Sequence, residues 1–115
     1  MLIFEYIDDY RYNRFMDKMF KAMADINRRK ILTLLKGGEM SVNDLLKNFE
    51  ISQATLSNHL SILRKAKLVE NRVFGKQRIY RLNVELLKTF AKNIDKFVGN
   101  FAENISKDIE IRSRR

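Results

Sequence analysis

The stretch SVNDLLKNFEISQATLSNHLSILRKAKLVENRVFGKQRIYRL, residues 41–82, decides the fold of this chain. Ser41 and Ser52 each stand where a side-chain hydroxyl can cap the first turn of a helix. Apolar stripes at helical spacing follow each serine. They are Val42, Leu45, Leu46 and Phe49 after Ser41, and Leu56, Leu60 and Leu63 after Ser52. Beyond them, residues 69–74 and 78–82 alternate in polarity around a turn at Gly75-Lys76-Gln77. The pattern predicts two short helices followed by a two-stranded hairpin.

The helix that begins after Ser52 carries small and polar side chains on the side opposite its leucines. Ala54, Asn58, Ser61 and Lys65 fall there when residues are placed at about 100° per step. Such a face fits the major groove of DNA, where Asn or Gln can pair with adenine through two hydrogen bonds. An ordinary exposed helix face is the alternative, but the capped helix before it and the basic hairpin after it favour DNA. The predicted DNA-binding residues of this helix are Gln53, Ala54, Thr55, Ser57, Asn58, His59 and Ser61.

The hairpin carries cationic and polar side chains around its tip. Positive charges at such a place suit DNA phosphates or an adjacent minor groove, although charges on exposed strands also prevent edge-to-edge aggregation. The predicted phosphate-binding residues of the hairpin are Arg72, Lys76, Gln77 and Arg78.

The net charge of +9 is concentrated in the same part of the chain. Residues 26–82 hold twelve Lys and Arg against four Asp and Glu, while residues 1–25 sum to −1 and residues 83–115 to +2. This distribution attracts a polyanion, although a lysine-rich surface also serves solubility. Double-stranded DNA is therefore the predicted partner.

Composition excludes several other classes of function. The chain has no Cys and one His, so disulfides and thiolate or imidazole metal cages are excluded, and no metal or other cofactor is predicted. A single His without a Cys or a glycine-rich phosphate loop gives no nucleophile and base arrangement, so no enzyme activity is expected. No apolar run is long enough to cross a bilayer, and a cytoplasmic protein that does not insert into membranes is expected.

The remaining helices are predicted from apolar spacing and caps. Residues 12–23 form a first helix, and the apolar segment 1–11 is a candidate extension of it. Asp25 caps a second helix that runs to residue 36, where Gly37-Gly38 ends it.

A last helix begins after Asn83 and carries an apolar seam that requires a partner. Two apolar terminal segments exceed what one small core can cover, which favours a homodimer over packing within one chain. The predicted dimer-interface residues are Phe15, Met19, Leu87, Phe90, Ile94, Phe97, Phe101 and Ile105.

The fold class expected is mainly α with a small β-hairpin: a winged helix-turn-helix with N- and C-terminal dimerisation helices. We expect a single domain over residues 1–115, with a winged-helix core at 12–82, dimerisation helices at 1–25 and 83–110, and a basic tail at 111–115.

Four segments resemble the ArsR-type winged-helix repressors: FKAMAD (residues 20–25), RRKIL (28–32), SNHL (57–60) and the run from Leu63 to Leu68-Val69. The resemblance covers roughly residues 15–85. It implies a homodimeric repressor that binds an inverted-repeat operator, in a family whose members often release DNA when they bind a metal. At His59 the resemblance implies a group that anchors the helix or bonds a phosphate, in preference to pH sensing.

The family's metal-site residues are missing from this sequence. Family members with one kind of site have Cys at the start of the third helix, where this chain has SVNDL (residues 41–45), and a second kind uses Asp and His pairs in the last helix, where Asp95, Glu103 and Asp108 have no His beside them. The resemblance therefore points to the branch without metal sites, which includes autorepressors. Two alternatives stay open: a regulator with an organic or hydrophobic effector at the dimer interface, among Met16, Met19 and Met23, and a protein-interaction module that uses the winged helix as a scaffold. The effector, if there is one, is unknown.

Overall fold

Five helices and three short strands make up the structure, a computed structural model that describes the backbone of residues 2–113 and the side chains of residues 10–109. The helices are α1 (Leu2–Met23), α2 (Ile26–Leu35), α3 (Val42–Leu46), α4 (Gln53–Lys65) and α5 (Val84–Ser113). The strands are β1 (Met40–Ser41), β2 (Val69–Phe74) and β3 (Gln77–Leu82). The chain divides between Val84 and Glu85 into two compact units, the first with α1–α4 and the sheet and the second with most of α5.

Apolar side chains at helical spacing form the core of the first unit, as the sequence predicts. Leu45 of α3 and the three leucines of α4 are almost completely buried, together with one face of α1 and of α2, whereas Leu46 of α3 is half-buried. Burial of each such side chain contributes about 1.5–3 kcal/mol. The buried residues are Met16, Met19, Ala22, Ile31, Leu35, Leu45, Leu56, Leu60, Leu63, Leu68 and Val69.

Three side-chain caps fix where the helices of this unit begin, and all three are at the predicted residues. The carboxylate of Asp25 accepts hydrogen bonds from the N–H groups of Asn27 and Arg28, at 2.8 and 3.2 Å. Ser41 Oγ accepts from the N–H of Asp44 at 3.1 Å, and Ser52 Oγ accepts from the N–H of Thr55 at 3.1 Å. These bonds satisfy N–H groups that have no partner inside the helix.

Ser52→Ala is expected to lower the free energy of unfolding by about 1 kcal/mol, because the first turn of α4 loses its cap. The serine also donates to Thr55 Oγ1 at 2.9 Å, so the substitution removes two hydrogen bonds. Urea unfolding followed by circular dichroism measures the change. Ser57→Ala is the matched control, since Ser57 is exposed on the same helix and is not a cap. Equal unfolding midpoints for the two variants contradict the capping role.

The end of α4 sets the direction of the chain toward the hairpin. Lys67 has a φ of 65°, the N–H of Leu68 donates to the carbonyl of Leu63 at 3.0 Å, and the N–H of Lys67 donates to that of Arg64 at 2.9 Å. This pair of bonds is the Schellman motif, and its usual apolar contact is available because Leu63 and Leu68 are both fully buried. The chain therefore turns directly from α4 into β2.

The sheet has three antiparallel strands in the order β1-β3-β2, not the two predicted. Met40 pairs with Tyr80 and Ser41 with Ile79, so the two residues of β1 extend the hairpin on one side. A strand of two residues is too short for an alternating pattern, which is why the sequence gives no signal for it. At the hairpin tip Phe74 pairs with Gln77, so β3 begins one residue earlier than predicted, and Gly75 takes the positive φ of 63° that the turn requires.

The two terminal helices are longer than the core segments predicted for them. Helix α1 begins at Leu2, so the candidate extension through the apolar segment is helical, and α5 continues to Ser113, into the predicted basic tail. Met1, Arg114 and Arg115 lie outside the described residues.

Helix α5 exposes a row of apolar side chains on the second unit. Phe97 and Phe101 are 61% and 60% exposed, and their rings lie nearly parallel with centroids 6.5 Å apart. Val98, Ile105 and Ile109 are also exposed. We call these five residues the α5 stripe.

Two of the predicted dimer-interface residues are not available at the surface. Met19 is 2% exposed and Phe90 is 4% exposed. Their place in a dimer interface stays a prediction, because a periodic apolar position does not distinguish a residue that packs within its chain from one that packs against another. The half-buried Phe15, Leu87 and Ile94 and the exposed Phe97, Phe101 and Ile105 retain some accessible area.

Candidate nucleic-acid interface

Helix α4 presents most of the predicted DNA-binding side chains to solvent. Ser52 fixes its first turn and the leucines fix its buried side, so the polar face is held outward. Ser61 is half-buried, and the exposed positions are Gln53, Ala54, Thr55, Ser57 and Asn58.

An open groove of about 330 Å³ joins the start of α4 to the tip of the hairpin. Gln53 and Ser57 line one side of it, and Lys76, Gln77 and Arg78 line the other. The structure thus places side chains suited to base edges next to side chains suited to phosphates, although more than fifteen positions separate them in the sequence.

Three further residues line the groove from the start of α3: Ser41, Val42 and Asn43. Asn43 is exposed and can donate or accept hydrogen bonds, yet the sequence interpretation did not select it as a site residue. Its position in the sequence could have indicated a DNA contact. Asn43 lies in the first turn of α3, just before the predicted recognition helix α4, and the first helix of a helix-turn-helix crosses the DNA backbone.

The cations of the hairpin fall into two groups. Arg72 Nη2 lies 2.9 Å from Glu39 Oε2, and Arg81 Nη2 lies 2.8 Å from Glu70 Oε2. Lys76 and Arg78 form no ion pair within the described part of the chain. Arg72 was predicted to bind phosphate on the same grounds as Lys76, but the structure pairs it with a carboxylate that competes with phosphate for its guanidinium.

The pairing of Arg72 with Glu39 persists at neutral pH. The hydrogen bond from Arg72 lowers the pKa of Glu39, and the same bond raises the pKa of Arg72, so both groups are charged. The sequence could not show this pair, because Glu39 lies in the loop before β1, a strand that the pattern does not reveal.

His59 differs from the other predicted residues of α4 because it points inward. It is 9% exposed, its Nδ1 lies 3.4 Å from Arg28 Nη1, and the same atom lies 3.9 Å from Asp25 Oδ1. A guanidinium only donates, so the neutral tautomer with its proton on Nε2 can accept a hydrogen bond from Arg28 at Nδ1, whereas a protonated Nδ1 faces the carboxylate of Asp25. The placement favours the helix-anchoring interpretation of His59 over a phosphate contact.

The contacts of Arg28 extend this anchor to α1. Arg28 Nε donates to the carbonyl of Ala22 at 2.6 Å, and Nη2 donates to that of Lys21 at 3.0 Å. Desolvation raises the pKa of the Asp25 carboxyl, but the hydrogen bonds from the backbone N–H groups of Arg28 and Asn27 outweigh it and hold the pKa below its ordinary value. One arginine therefore connects the end of α1, the start of α2 and the buried side of α4.

Similar proteins are found for most of the first unit. A family model described as "Bacterial regulatory protein, arsR family" matches residues 25–71. The transcriptional repressor SdpR of Bacillus subtilis is 42% identical over 73 residues, which cover 64% of this chain and 81% of SdpR. The chain belongs to the ArsR family. A second ArsR-family relative, the arsenical resistance operon repressor of Staphylococcus xylosus, is 39% identical over 80 residues, or 70% of this chain and 77% of the relative.

The fold comparison agrees with this family assignment. An ArsR-like transcriptional regulator from Rhodococcus sp. RHA1 superposes with a TM-score of 0.75 at 23% identity, covering 86% of this chain and 93% of the regulator. The winged helix-turn-helix prediction is confirmed. As an ArsR-family member the chain is a DNA-binding transcription regulator and not an enzyme.

No group of three or more His, Cys, Asp or Glu side chains within the described residues is placed to hold a metal ion. None of the described helices combines the length and apolar character needed to span a bilayer.

The double substitution Lys76→Gln and Arg78→Gln is expected to reduce the salt dependence of DNA affinity of this ArsR-family protein. Each phosphate contact that is lost lowers the slope of log affinity against log salt concentration by about 0.9. Fluorescence anisotropy with one labelled duplex at several salt concentrations measures the slope. Arg81→Gln is the matched control, since Arg81 lies on the same hairpin but pairs with Glu70. A slope changed more by the control than by the double substitution contradicts the division of the cations into two groups.

Proposed function

We propose that this chain is a sequence-specific transcriptional repressor that binds an inverted-repeat operator as a homodimer. The observation that carries the proposal is the groove between Gln53 and Ser57 on α4 and Lys76, Gln77 and Arg78 on the hairpin. In this proposal α4 enters the major groove, and the hairpin contacts the phosphates beside it.

The α5 stripe supports a second copy of this chain as the partner. Five large apolar side chains over residues 97–109 are exposed in the single chain, and contiguous apolar surface of this kind usually marks an interface. A two-fold dimer repeats both the stripe and the reading helix. The two reading helices then meet successive major grooves about 34 Å apart, which is why the operator is an inverted repeat.

We further propose that metals do not control this repressor. The chain contains no cysteine, and its single histidine is buried against Arg28 and Asp25. Divalent zinc, divalent nickel and arsenite added to the protein–operator complex are expected to leave the fraction of bound DNA unchanged in an anisotropy titration. Release of DNA by any of the three contradicts this part of the proposal.

Selection of bound sites from a pool of random duplexes tests the main proposal. The expected result is an enriched sequence with two-fold symmetry whose half-sites are separated by about one helical turn. A reporter gene placed behind the selected site then distinguishes repression from activation, with reduced expression expected when the protein is produced. Absence of an enriched sequence, an asymmetric one, or increased expression contradicts the proposal.

A further inference from the structure

A second cavity, an open surface depression of about 430 Å³, lies among the ends of α1 and α4 and the start of α2. Its apolar surface includes the half-buried Ile62 and Ala66, and four cationic side chains contribute to its lining: Lys18, Lys21, Arg28 and Lys65. No Asp or Glu is among the residues that line it.

This cavity is separate from the groove proposed for DNA. Gln53 lines the groove and Lys65 lines the cavity, and these residues are the first and last of α4. At about 1.5 Å per residue they lie about 18 Å apart along the helix axis. The two sites are thus at opposite ends of the same helix.

The charges around the cavity are suited to an anion. Lys18, Lys21 and Lys65 are exposed and have no ion pair within the described part of the chain. Asp25 interacts electrostatically with Arg28, but its carboxylate accepts backbone hydrogen bonds at the start of α2 and does not line the cavity. The positive potential of the cavity is therefore not cancelled from within.

The end of α1 would ordinarily disfavour an anion, because free carbonyl groups there carry partial negative charge. Here three of the last carbonyls of α1 already accept hydrogen bonds from arginine side chains. Arg28 donates to the carbonyls of Lys21 and Ala22, and Arg29 Nη1 donates to that of Met23 at 2.7 Å. Two guanidinium groups thus offset the negative end of the helix dipole next to the cavity.

We propose that this cavity binds a small anionic amphiphile, a carboxylate on an unbranched apolar stem. The carboxylate lies among Lys18, Lys21 and Lys65, and the stem packs on Ile62 and Ala66. The cavity volume falls in the range of small-molecule sites, about 300–1,000 Å³. An inorganic anion satisfies the cations but leaves the apolar surface uncovered, which is why the proposal requires a stem.

Titration of the full chain with decanoate, followed by amide NMR shifts, tests the proposal. We expect saturable shifts confined to the amides around residues 18–22 and 62–66, and binding at least about tenfold weaker for inorganic phosphate, which has no apolar stem to bury. Octyl glucoside, which is neutral, is expected to give no saturable shifts at these amides.

The triple substitution Lys18→Gln, Lys21→Gln and Lys65→Gln is expected to weaken decanoate binding by about tenfold or more, since three charge contacts are lost. The matched control is Lys36→Gln, Lys92→Gln and Lys96→Gln, which removes the same charge from exposed residues that do not line the cavity and is expected to bind as the parent does. Both variants keep the buried core, so their circular dichroism spectra provide the check on folding.

Three results overturn the proposal. The first is decanoate shifts centred on the α5 stripe, and the second is phosphate binding as tight as that of decanoate. The third is a triple variant that binds decanoate normally but shows a reduced salt dependence for DNA, which would identify the lysines as phosphate contacts of the operator complex.

Discussion

Replacing Phe97 and Phe101 with aspartate is expected to make the protein monomeric and to lower its operator affinity by about 100-fold or more. Both rings are about 60% exposed in the single chain, so the substitution removes apolar surface without opening the core. A two-fold interface contains each residue twice, and four phenylalanines at about 1.5 kcal/mol or more each amount to at least about 6 kcal/mol of dimer stability. Sedimentation velocity measures the mass, and anisotropy with an inverted-repeat duplex measures the affinity.

The matched control for this variant is Gly99→Asp with Ser106→Asp. It adds the same two negative charges to α5 at exposed positions on the other side of the helix from Phe97 and Phe101. A Cβ at Gly99 meets nothing within 4 Å, so the control introduces no clash. A control that dissociates as completely as the phenylalanine variant shows that charge, not the α5 stripe, governs assembly.

The double substitution Gln53→Ala and Asn58→Ala is expected to abolish sequence preference while leaving general DNA binding. Each bidentate contact to a base discriminates by about 1–3 kcal/mol, and a dimer uses every contact in both half-sites. The ratio of operator affinity to random-duplex affinity should therefore fall by about 1,000-fold or more. Competition anisotropy with the two duplexes measures this ratio.

Lys76→Gln serves as the comparison for the reading residues. A phosphate contact carries no sequence information, so this substitution should weaken operator and random duplexes by the same factor. If Gln53→Ala with Asn58→Ala changes neither duplex, and the protein instead loses capture of a protein partner, the interaction-module alternative is correct and the DNA-reading proposal is wrong.

Sequence patterns predicted the features of this fold that depend on residues close together in the chain, namely the helix caps and the buried helix faces. Asp25, Ser41 and Ser52 cap the helices as expected, because a cap depends on residues two or three positions away. The leucines of α4 are buried as expected because their spacing matches the helix period.

The same local patterns could not predict contacts between residues that lie far apart in the sequence. Glu39 pairs with Arg72 across 33 positions and Arg28 approaches His59 across 31, and a single sequence gives no sign of either contact. Burial is limited in the same way. The spacing of Met19 predicts that it lies on an apolar face of a helix, but not which surface packs against that face.

The Schellman turn after α4 has a consequence for how this regulator meets its operator. The N–H of Leu68 donates a hydrogen bond to the carbonyl of Leu63, and Lys67 has a left-handed backbone conformation. These two features fix the angle between α4 and the hairpin. The side chain of Asn83 donates to the carbonyl of Lys67 at 2.9 Å and ties the far end of the hairpin to the same point. In the proposed complex, less conformational entropy is therefore lost on association, because the link between α4 and the hairpin is ordered before contact with DNA.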